Sequence, residues 1–280
     1  MPVFPALSHY AVIGNPVAHS KSPEIHAAFA RQTGEDIEYS RLLSPLDGFR
    51  AAVEAFRDGG GRGLNVTLPF KLEAVALATT VAERARLAGA ANFLRFDGAG
   101  IAADNTDGAG LLRDLTHNLG FFPVDARILI AGAGGAARGV LLPLLQAGPA
   151  LLAIANRTPG KARELERAFA PAAGKTRLLS GGFAGINQQR FDLVINATSA
   201  GVGGGIPALP DHVFDDGCLA YDMMYGAGAT PFMAYALQHG AARAADGLGM
   251  LVEQAAESFF LWRGVRPDAA GVLDLLRAGG

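Results

Sequence analysis

Lysine is the rare cation of this 280-residue chain: four lysines stand against 20 arginines. Three of the four, Lys21, Lys71 and Lys161, fall in stretches crowded with other polar side chains. Lysine can lose its proton near neutral pH when its surroundings lower its pKa, whereas a guanidinium stays charged. Lys71, after Asn65-Val66-Thr67-Leu68-Pro69-Phe70, is therefore a candidate acid or base, although a lysine at a helix start is also ordinary solvated surface. A carboxylate that can pair with it stands in Asp104-Asn105-Thr106-Asp107-Gly108. The alternative for Asp107 is a place near the N-terminus of the following helix, which suits a negative charge. Ser20 and Ser22 offer two hydroxyls to a small polar or anionic ligand. Helix initiation competes for Ser22, as N-cap before Pro23 at N1, and leaves Ser20 unexplained.

A second group of residues points to a nucleotide. Gly132-Ala133-Gly134-Gly135-Ala136-Ala137 has the G-x-G-x-x-A form in which the first glycine makes the tight turn, the second admits a pyrophosphate and the last small residue lets helix and strand pack closely. Glycine is common here, 37 of 280 residues, so the motif needs its context. It follows the apolar run Arg127 to Ala131, precedes a helical run from Arg138 to Ala147, and is completed as a βαβ unit by a strand from Ala150 to Ala155. No acidic residue ends that second strand. Asn156-Arg157-Thr158 and Lys161 stand there instead, offering donors and cations where a carboxylate would repel a 2'-phosphate, which favours NADP over NAD. Thr158 also serves as an N-cap with Pro159 at N1, a role compatible with the first.

The elements that must position these residues alternate between strand and helix, which implies an α/β fold. Tyr10 to Gly14 reads as a strand, with Ser20 and Ser22 in the loop leaving its C-terminal end. Ile37 to Leu43 and Gly63 to Thr67 are further strands, separated by a helix from Leu46 to Arg57. Thr67 and Lys71 then face the crevice of Ser20, since open α/β sheets place their sites at strand C-termini. Val81 to Ala88 is a short helix, Ala91 to Phe96 and Ile101 to Asp104 are strands, and Ala109 to His117 is a helix. Beyond the nucleotide unit, Phe191 to Ala197 runs to Thr198, and Leu219 to Tyr221 runs to Asp222 and Met223. Ala245-Asp246-Gly247-Leu248-Gly249 leads into a helix with an apolar stripe at Val252, Ala255, Ala256, Phe259 and Phe260. Gln254 lies off that stripe.

With 50% hydrophobic and 18% charged residues the chain can bury a sizeable core in two domains. A net charge of -2 without basic clusters argues against a nucleic-acid surface. The uncharged run from Gly139 to Asn156 is broken by Pro143, Gln146 and Gly148-Pro149, so no membrane span is expected. Met1 to Tyr10 carries no secretory pattern, which leads us to expect a cytoplasmic protein. The six histidines lack ligand spacing, so no metal is expected, and Cys218 reads as a small buried hydrophobe.

Taken together, Tyr10-Ala11-Val12-Ile13-Gly14-Asn15-Pro16 with Ser20-Lys21-Ser22-Pro23, Asn65-Val66-Thr67 with Pro69-Phe70-Lys71, Asp104 to Gly108, the glycine turn, Asn156-Arg157-Thr158 and Ala245 to Leu251 resemble the NADP-dependent shikimate dehydrogenase family over almost the whole chain. The resemblance implies an N-terminal α/β substrate domain, residues 1–106, and a Rossmann-type doubly wound parallel-sheet NADP domain, residues 107–246. The C-terminal helices, 247–280, return to the first domain, and the active site is the crevice between the two. It implies that Ser20 and Ser22 bind a substrate carboxylate with Tyr225 nearby, and that Thr67, Asn92, Asp107 and Gln254 bind ring hydroxyls. Lys71 and Asp107 form the catalytic pair and also touch the substrate. The cofactor residues are Gly132, Ala133, Gly134, Gly135, Ala136, Asn156, Arg157, Thr158, Lys161, Thr198, Met223 and Gly247.

One departure is Ala91-Asn92-Phe93, where the family usually has Val-Asn-Thr; Phe93 is expected to point to the opposite face of the strand from Asn92. The implied reaction reduces 3-dehydroshikimate to shikimate with NADPH, in aromatic amino-acid biosynthesis. Two rivals stay open: a paralogue acting on quinate or aminoshikimate, and a catalytically silent NADPH sensor. The expected partners are small molecules, not nucleic acid or membrane. The sequence does not fix the oligomeric state and leaves a homodimer open.

Overall fold

Among the described residues the strands form two six-stranded sheets. The structure, a computed structural model, describes residues 7–98, 100–186, 188–198, 205–210, 212–226 and 228–278. Two compact units divide it: Met1–Gly110 with Val252–Gly280, and Leu111–Leu251.

In the first unit, β1 (Ser8–Gly14) pairs in parallel with β2 (Ile37–Leu43) on one side and with β3 (Gly61–Val66) on the other. The chain reaches β2 through helix α1 (Ser22–Thr33) and returns through α2 (Phe49–Asp58). Because the connections leave β1 in opposite directions, its C-terminal end is a topological switch point, where an open sheet leaves a crevice. Helix α3 (Lys71–Leu77), the two-residue β4 (Thr80–Val81) and helix α4 (Glu83–Ala88) follow. Strand β5 (Phe93–Asp97) is antiparallel to β3, and β6 (Gly100–Asp104) is antiparallel to β5. Ile13, Leu64, Val66, Phe49, Phe70 and Leu94 lie in the core between this sheet and its helices.

In the second unit all pairings are parallel among β7 (Arg127–Ala131), β8 (Leu151–Ala155), β9 (Arg177–Gly181), β10 (Phe191–Asn196), β11 (Phe214–Asp222) and β12 (Arg243–Ala245). The spatial order β12-β11-β10-β7-β8-β9 is the 3-2-1-4-5-6 order of a doubly wound dinucleotide fold, with its switch point between β7 and β10. Four of the five β7 residues and all five of β8 are buried, as expected of central parallel strands covered on both faces. Helices α5 (Asp107–Arg113), α6 (Gly135–Gln146), α7 (Pro159–Phe169), α8 (Pro231–Gln238), α9 (Leu248–Arg263) and α10 (Ala269–Ala278) complete the chain.

Several elements differ from the sequence reading. The helix expected over Ala109 to His117 begins at Asp107 and widens after Arg113 into a π-helical turn, Asp114–Asn118. Asp114 is buried there and accepts from the Tyr221 hydroxyl at 2.6 Å and the Asn118 amide at 2.8 Å. The strand expected over Leu219 to Tyr221 starts earlier, at Phe214, because its charged first residues have a partner: Asp215 pairs with Arg127, which also holds Asp192 at 2.6 Å. Strands β9 and β12 lie at the sheet edges, where half-exposed residues leave no apolar run to read.

His26, on α1, is fully buried and stacks on the Tyr39 ring with centroids 4.1 Å apart. Neither ring nitrogen reaches hydrogen-bonding geometry, and burial pushes its pKa down to about 3, the nearby Asn65 side chain opposing only weakly. The unfolded chain therefore binds a proton that the folded protein excludes. The resulting stability is fully present above the ordinary histidine value of 6.5 and is lost as pH falls toward 3, at up to about 1.4 kcal/mol per pH unit. His26→Phe keeps a ring on Tyr39 and removes this dependence. Urea unfolding at pH 7 and pH 4.5 should show a stability loss smaller by about 2.5 kcal/mol in the variant; equal losses would contradict the assignment.

Candidate active site

The sheet of the first unit brings its polar residues to one edge. Ser20 and Ser22 follow the C-terminal end of β1, and Thr67 and Lys71 follow that of the parallel β3. Strand β5 runs the opposite way, so Asn92, just before its first residue, lies at the same edge. Strand β6 reverses again, and Asp107 follows its end. The cross-strand register Asn65↔Phe93↔Asp104 marks the line beyond which these side chains gather.

Lys71 is the first residue of α3, a helix end that disfavours a cation. Its Nζ lies 2.5 Å from Asp107 Oδ2, with the two side chains 24% and 11% exposed. Asp107 opens α5, where the helix dipole favours its charge. The Lys71 carbonyl accepts from the Ala91 N–H at 2.8 Å, which ties the start of α3 to the segment carrying Asn92.

Asn92 is buried, and its orientation is set by the Thr106 N–H, which donates to Oδ1 at 2.7 Å. Its Nδ2 then faces three oxygens: Asp107 Oδ1 at 2.8 Å, Thr106 Oγ1 at 2.9 Å and Gln254 Oε1 at 3.1 Å. An amide has two protons to give. Asn92 Nδ2 thus faces more acceptors than it has protons, while the Thr106 hydroxyl, the Gln254 amide and Lys71 bring donors of their own, and a ligand bearing hydroxyl groups, which both donate and accept, complements the cluster. Gln254, off the apolar stripe of α9, turns its polar end here.

Ser20 and Ser22 also meet: Ser20 Oγ donates to Ser22 Oγ at 3.1 Å, and the Ser22 N–H donates to Ser20 Oγ at 3.3 Å. Ser22 does not cap α1. The helix begins at Ser22 itself with Lys21 in the cap position and no side-chain cap bond, so the capping account of this hydroxyl fails. The Ser20 carbonyl accepts two bonds from Arg41, which fixes the loop. Phe93 turns away from Asn92, buried and stacked on Trp262 with centroids 5.0 Å apart.

The second unit presents the nucleotide residues at one sheet edge as well. Gly132–Ala136 follow β7, Asn156, Arg157, Thr158 and Lys161 follow β8, Thr198 follows β10, Met223 follows β11 and Gly247 follows β12. Gly132 has φ 120°, and a Cβ there would lie 2.8 Å from the Ala197 carbonyl oxygen, so the turn requires glycine. At Gly134 and Gly135 a Cβ would meet nothing within 4 Å, and with Ala136 these residues are exposed at the start of a 12-residue helix with no acid in its first turn. Backbone N–H groups so placed fit a pyrophosphate. Arg157 and Lys161 are exposed, and Asn156 Nδ2 donates to the Thr158 carbonyl at 3.0 Å. Thr158 occupies the cap position of α7 without a side-chain cap bond. Tyr225, 37% exposed, belongs to this unit.

Sequence reasoning gave no role to three buried polar residues that hold these edges. Asn65 accepts from the Tyr39 hydroxyl at 2.8 Å and donates to the Asn92 carbonyl at 3.2 Å and to Ser258 Oγ at 3.0 Å. Asn196 and Asp222, linked at 3.1 Å, end β10 and β11; Asn196 accepts from Thr198 Oγ1 at 2.7 Å and Asp222 from Thr230 Oγ1 at 2.6 Å. Burial raises the pKa of Asp222. The available signal was a polar residue inside or ending an apolar strand, which must find partners when buried.

Three family models match the sequence: the shikimate dehydrogenase substrate binding domain over residues 12–94, shikimate / quinate 5-dehydrogenase over 120–202, and the shikimate 5'-dehydrogenase C-terminal domain over 247–277. A shikimate dehydrogenase (NADP(+)) of Nitrosospira multiformis is 59% identical over 269 residues, 96% of this chain and 97% of the relative. The crystal structure of an Ael1 enzyme from Pseudomonas putida superposes with a TM-score of 0.91 at 49% identity, covering 96% of this chain and 98% of that one. Shikimate 5-dehydrogenase from Thermus thermophilus, in complex with NADP(H) and shikimate, gives 0.84 at 32% identity, covering 98% and 100%.

Asn65 bonds at once to Tyr39, Ser258 and the Asn92 carbonyl, so Asn65→Ala should destabilise the protein by about 1 to 3 kcal/mol, the cost of leaving buried polar groups without a partner. Denaturant unfolding measures this, and an unchanged midpoint and slope would remove Asn65 from the framework.

Proposed function

The chain belongs to the shikimate dehydrogenase family, and from that premise we propose that it reduces the ketone of 3-dehydroshikimate to shikimate with NADPH. The observation that carries this reading is the Lys71–Asp107 pair beside a polar cluster of Asn92, Thr106 and Gln254. A polyhydroxylated ring both donates to and accepts from such groups. In this reading residues 1–106 with 247–280 serve the substrate and residues 107–246 the cofactor. Ser20 and Ser22 take the carboxylate, with Tyr225 assisting; Thr67, Asn92 and Gln254 take ring hydroxyls, and Lys71 and Asp107 both touch the substrate.

NADPH, when bound, supplies the hydride to the ketone carbon. Negative charge then develops on the carbonyl oxygen, and Lys71 Nζ hands a proton to it, which completes the alcohol. Asp107 holds the Lys71 side chain in position for the transfer. The exposed N–H groups of Gly134 to Ala136 take the pyrophosphate, with Gly132 and Ala133 forming the turn beneath them. Arg157 and Lys161, with Asn156 and Thr158, take the 2'-phosphate. Thr198, Met223 and Gly247 line the remaining strand ends.

Among the described residues no helix is long and apolar enough to cross a membrane. The reading places the enzyme in the cytoplasm, acting on small molecules and not on nucleic acid or membrane, with a homodimer as a proposal of its own. The direct experiment follows NADPH oxidation with 3-dehydroshikimate, and with 3-dehydroquinate for comparison. Turnover that favours the former supports the proposal. No reduction of either ketone would leave the silent-sensor reading standing.

Lys71→Arg separates charge from proton exchange, because arginine keeps the cation and is not deprotonated in proteins. The proposal expects kcat to fall by about 10²- to 10⁴-fold, the usual contribution of general acid-base catalysis, with near-normal affinities for NADPH and shikimate. A kcat within a few-fold of the unmodified protein would rule out proton transfer by Lys71. For the cofactor, Arg157→Asp should erode the NADPH preference by weakening NADPH and leave kcat/KM with NADH nearly unchanged. Equal kcat/KM of the unmodified protein with both cofactors would overturn the 2'-phosphate assignment.

A further inference from the structure

Asp107 can hold Lys71 and Asn92 together only if the turn that carries it is fixed. That turn starts from Asp104, the last paired residue of β6, and beyond it Asn105 and Thr106 are held by side chains rather than by sheet pairing. Asn105 is buried; its Oδ1 accepts from the Asp107 N–H at 3.1 Å and its Nδ2 donates to the Ala90 carbonyl at 2.9 Å. The Asn105 N–H in turn donates to Asp104 Oδ1 at 2.7 Å, and the Asp104 carbonyl accepts from the Asn92 N–H at 3.1 Å. Asp104 is therefore bonded directly to Asn92 and linked to Asp107 through Asn105.

Arg84, on α4, grips Asp104 with a two-pronged contact, Nε to Oδ1 at 2.7 Å and Nη2 to Oδ2 at 2.8 Å. The same Nη2 donates to Glu257 at 3.2 Å. Glu257 lies three residues beyond Gln254 on α9, hence on the same helix face, and is held from the other side by Arg266. The Arg84, Asp104 and Glu257 side chains are only 22%, 14% and 13% exposed, so water does not dissolve this contact as it does surface pairs. One guanidinium thus fixes the turn bearing Asp107 and the helix bearing Gln254.

We infer that Arg84 is a positioning residue for the reaction: it touches neither substrate nor cofactor, and it sets the geometry of Asp107, Asn92 and Gln254 through Asp104 and Glu257. The inference rests on the function proposed above for those three residues. The planar fork matters, since a lysine delivers a point charge and cannot engage both oxygens of Asp104 while reaching Glu257.

The test compares Arg84→Met and Arg84→Lys with the unmodified protein in turnover of 3-dehydroshikimate and in NADPH binding. Arg84→Met should lower kcat about 10- to 100-fold, the scale of a sub-ångström to ångström misplacement, with NADPH affinity unchanged; Arg84→Lys should fall between the two. In an Asp107→Asn background the same Arg84→Met change should lower kcat several-fold less than in the unmodified protein, because part of its effect runs through Asp107 and coupled residues are non-additive. A merely structural role predicts equal losses in both backgrounds, and that result overturns the inference, as does an unchanged kcat. If Arg84→Met fails to fold, Arg84→Lys alone in the two backgrounds decides. The side-chain amide signals of Asn92, followed by NMR, give a reading free of turnover: they should move in the Arg84 variant, and unmoved signals overturn the inference. If the unmodified protein reduces no 3-dehydroshikimate, the proposed function fails, and the amide signals still decide whether Arg84 sets this geometry.

Discussion

An ammonium and a carboxylate 2.5 Å apart, both mostly withdrawn from water, impose a constraint on everything around them. Each has lost hydration, and their mutual attraction offsets that loss only if the remaining oxygens and protons also find partners. Asp107 meets this demand on both oxygens, one toward Lys71 and the other toward Asn92. Those partners must themselves be held, and the demand passes outward: from Asn92 to Thr106 and Gln254, from Thr106 to Ser258, and from Ser258 to Asn65 and Tyr39. The apolar core of the unit lies beneath this polar edge, formed by the inward faces of the same strands.

The second unit solves a different problem with the same kind of edge. Parallel strands all end on one side, and the loops leaving those ends have no further pairing to satisfy. Gly132 closes the turn over the Ala197 carbonyl, where any side chain would collide, and the helix that follows leaves its first N–H groups exposed. Asn196 and Asp222 secure the neighbouring strand ends from below, each accepting a hydroxyl proton from a threonine. Rigid strands thus aim loops whose residues make few bonds of their own, which is how an α/β sheet keeps a binding edge both open and fixed.

The points at which sequence and structure part have a common physical origin. Ser22 carries the composition of a helix cap, yet its hydroxyl meets Ser20 and the cap position falls to Lys21. The helix after Asp107 has an unremarkable local pattern, yet it widens around Asp114 because a tyrosine from a distant strand reaches that carboxylate. Strand β11 begins five residues before its apolar run from Leu219, because Arg127 from another strand pairs with Asp215. In each case a specific partner, two residues away for Ser22 and far along the chain for Asp114 and Asp215, outweighs the local preference.

Read alone, the residues determined what depends on short range: the apolar runs that become central strands, the glycines that turn at Gly132, the absence of an acid after β8, and the scarcity of lysine that singles out Lys71. The α/β class follows from these, because alternation of strand and helix leaves few architectures, whereas the six-strand order of the nucleotide unit appears only in the structure. Pairing of Lys71 with Asp107 stood as one of two readings. Tertiary structure brought them together, since two reversals of strand direction place Asn92 and Asp107 at the edge where β1 and β3 end. Only tertiary structure gave Asn65, Asn196, Asp222 and Arg84 their places, because a polar side chain withdrawn from water is defined by partners 8 to 193 residues away that no local pattern contains.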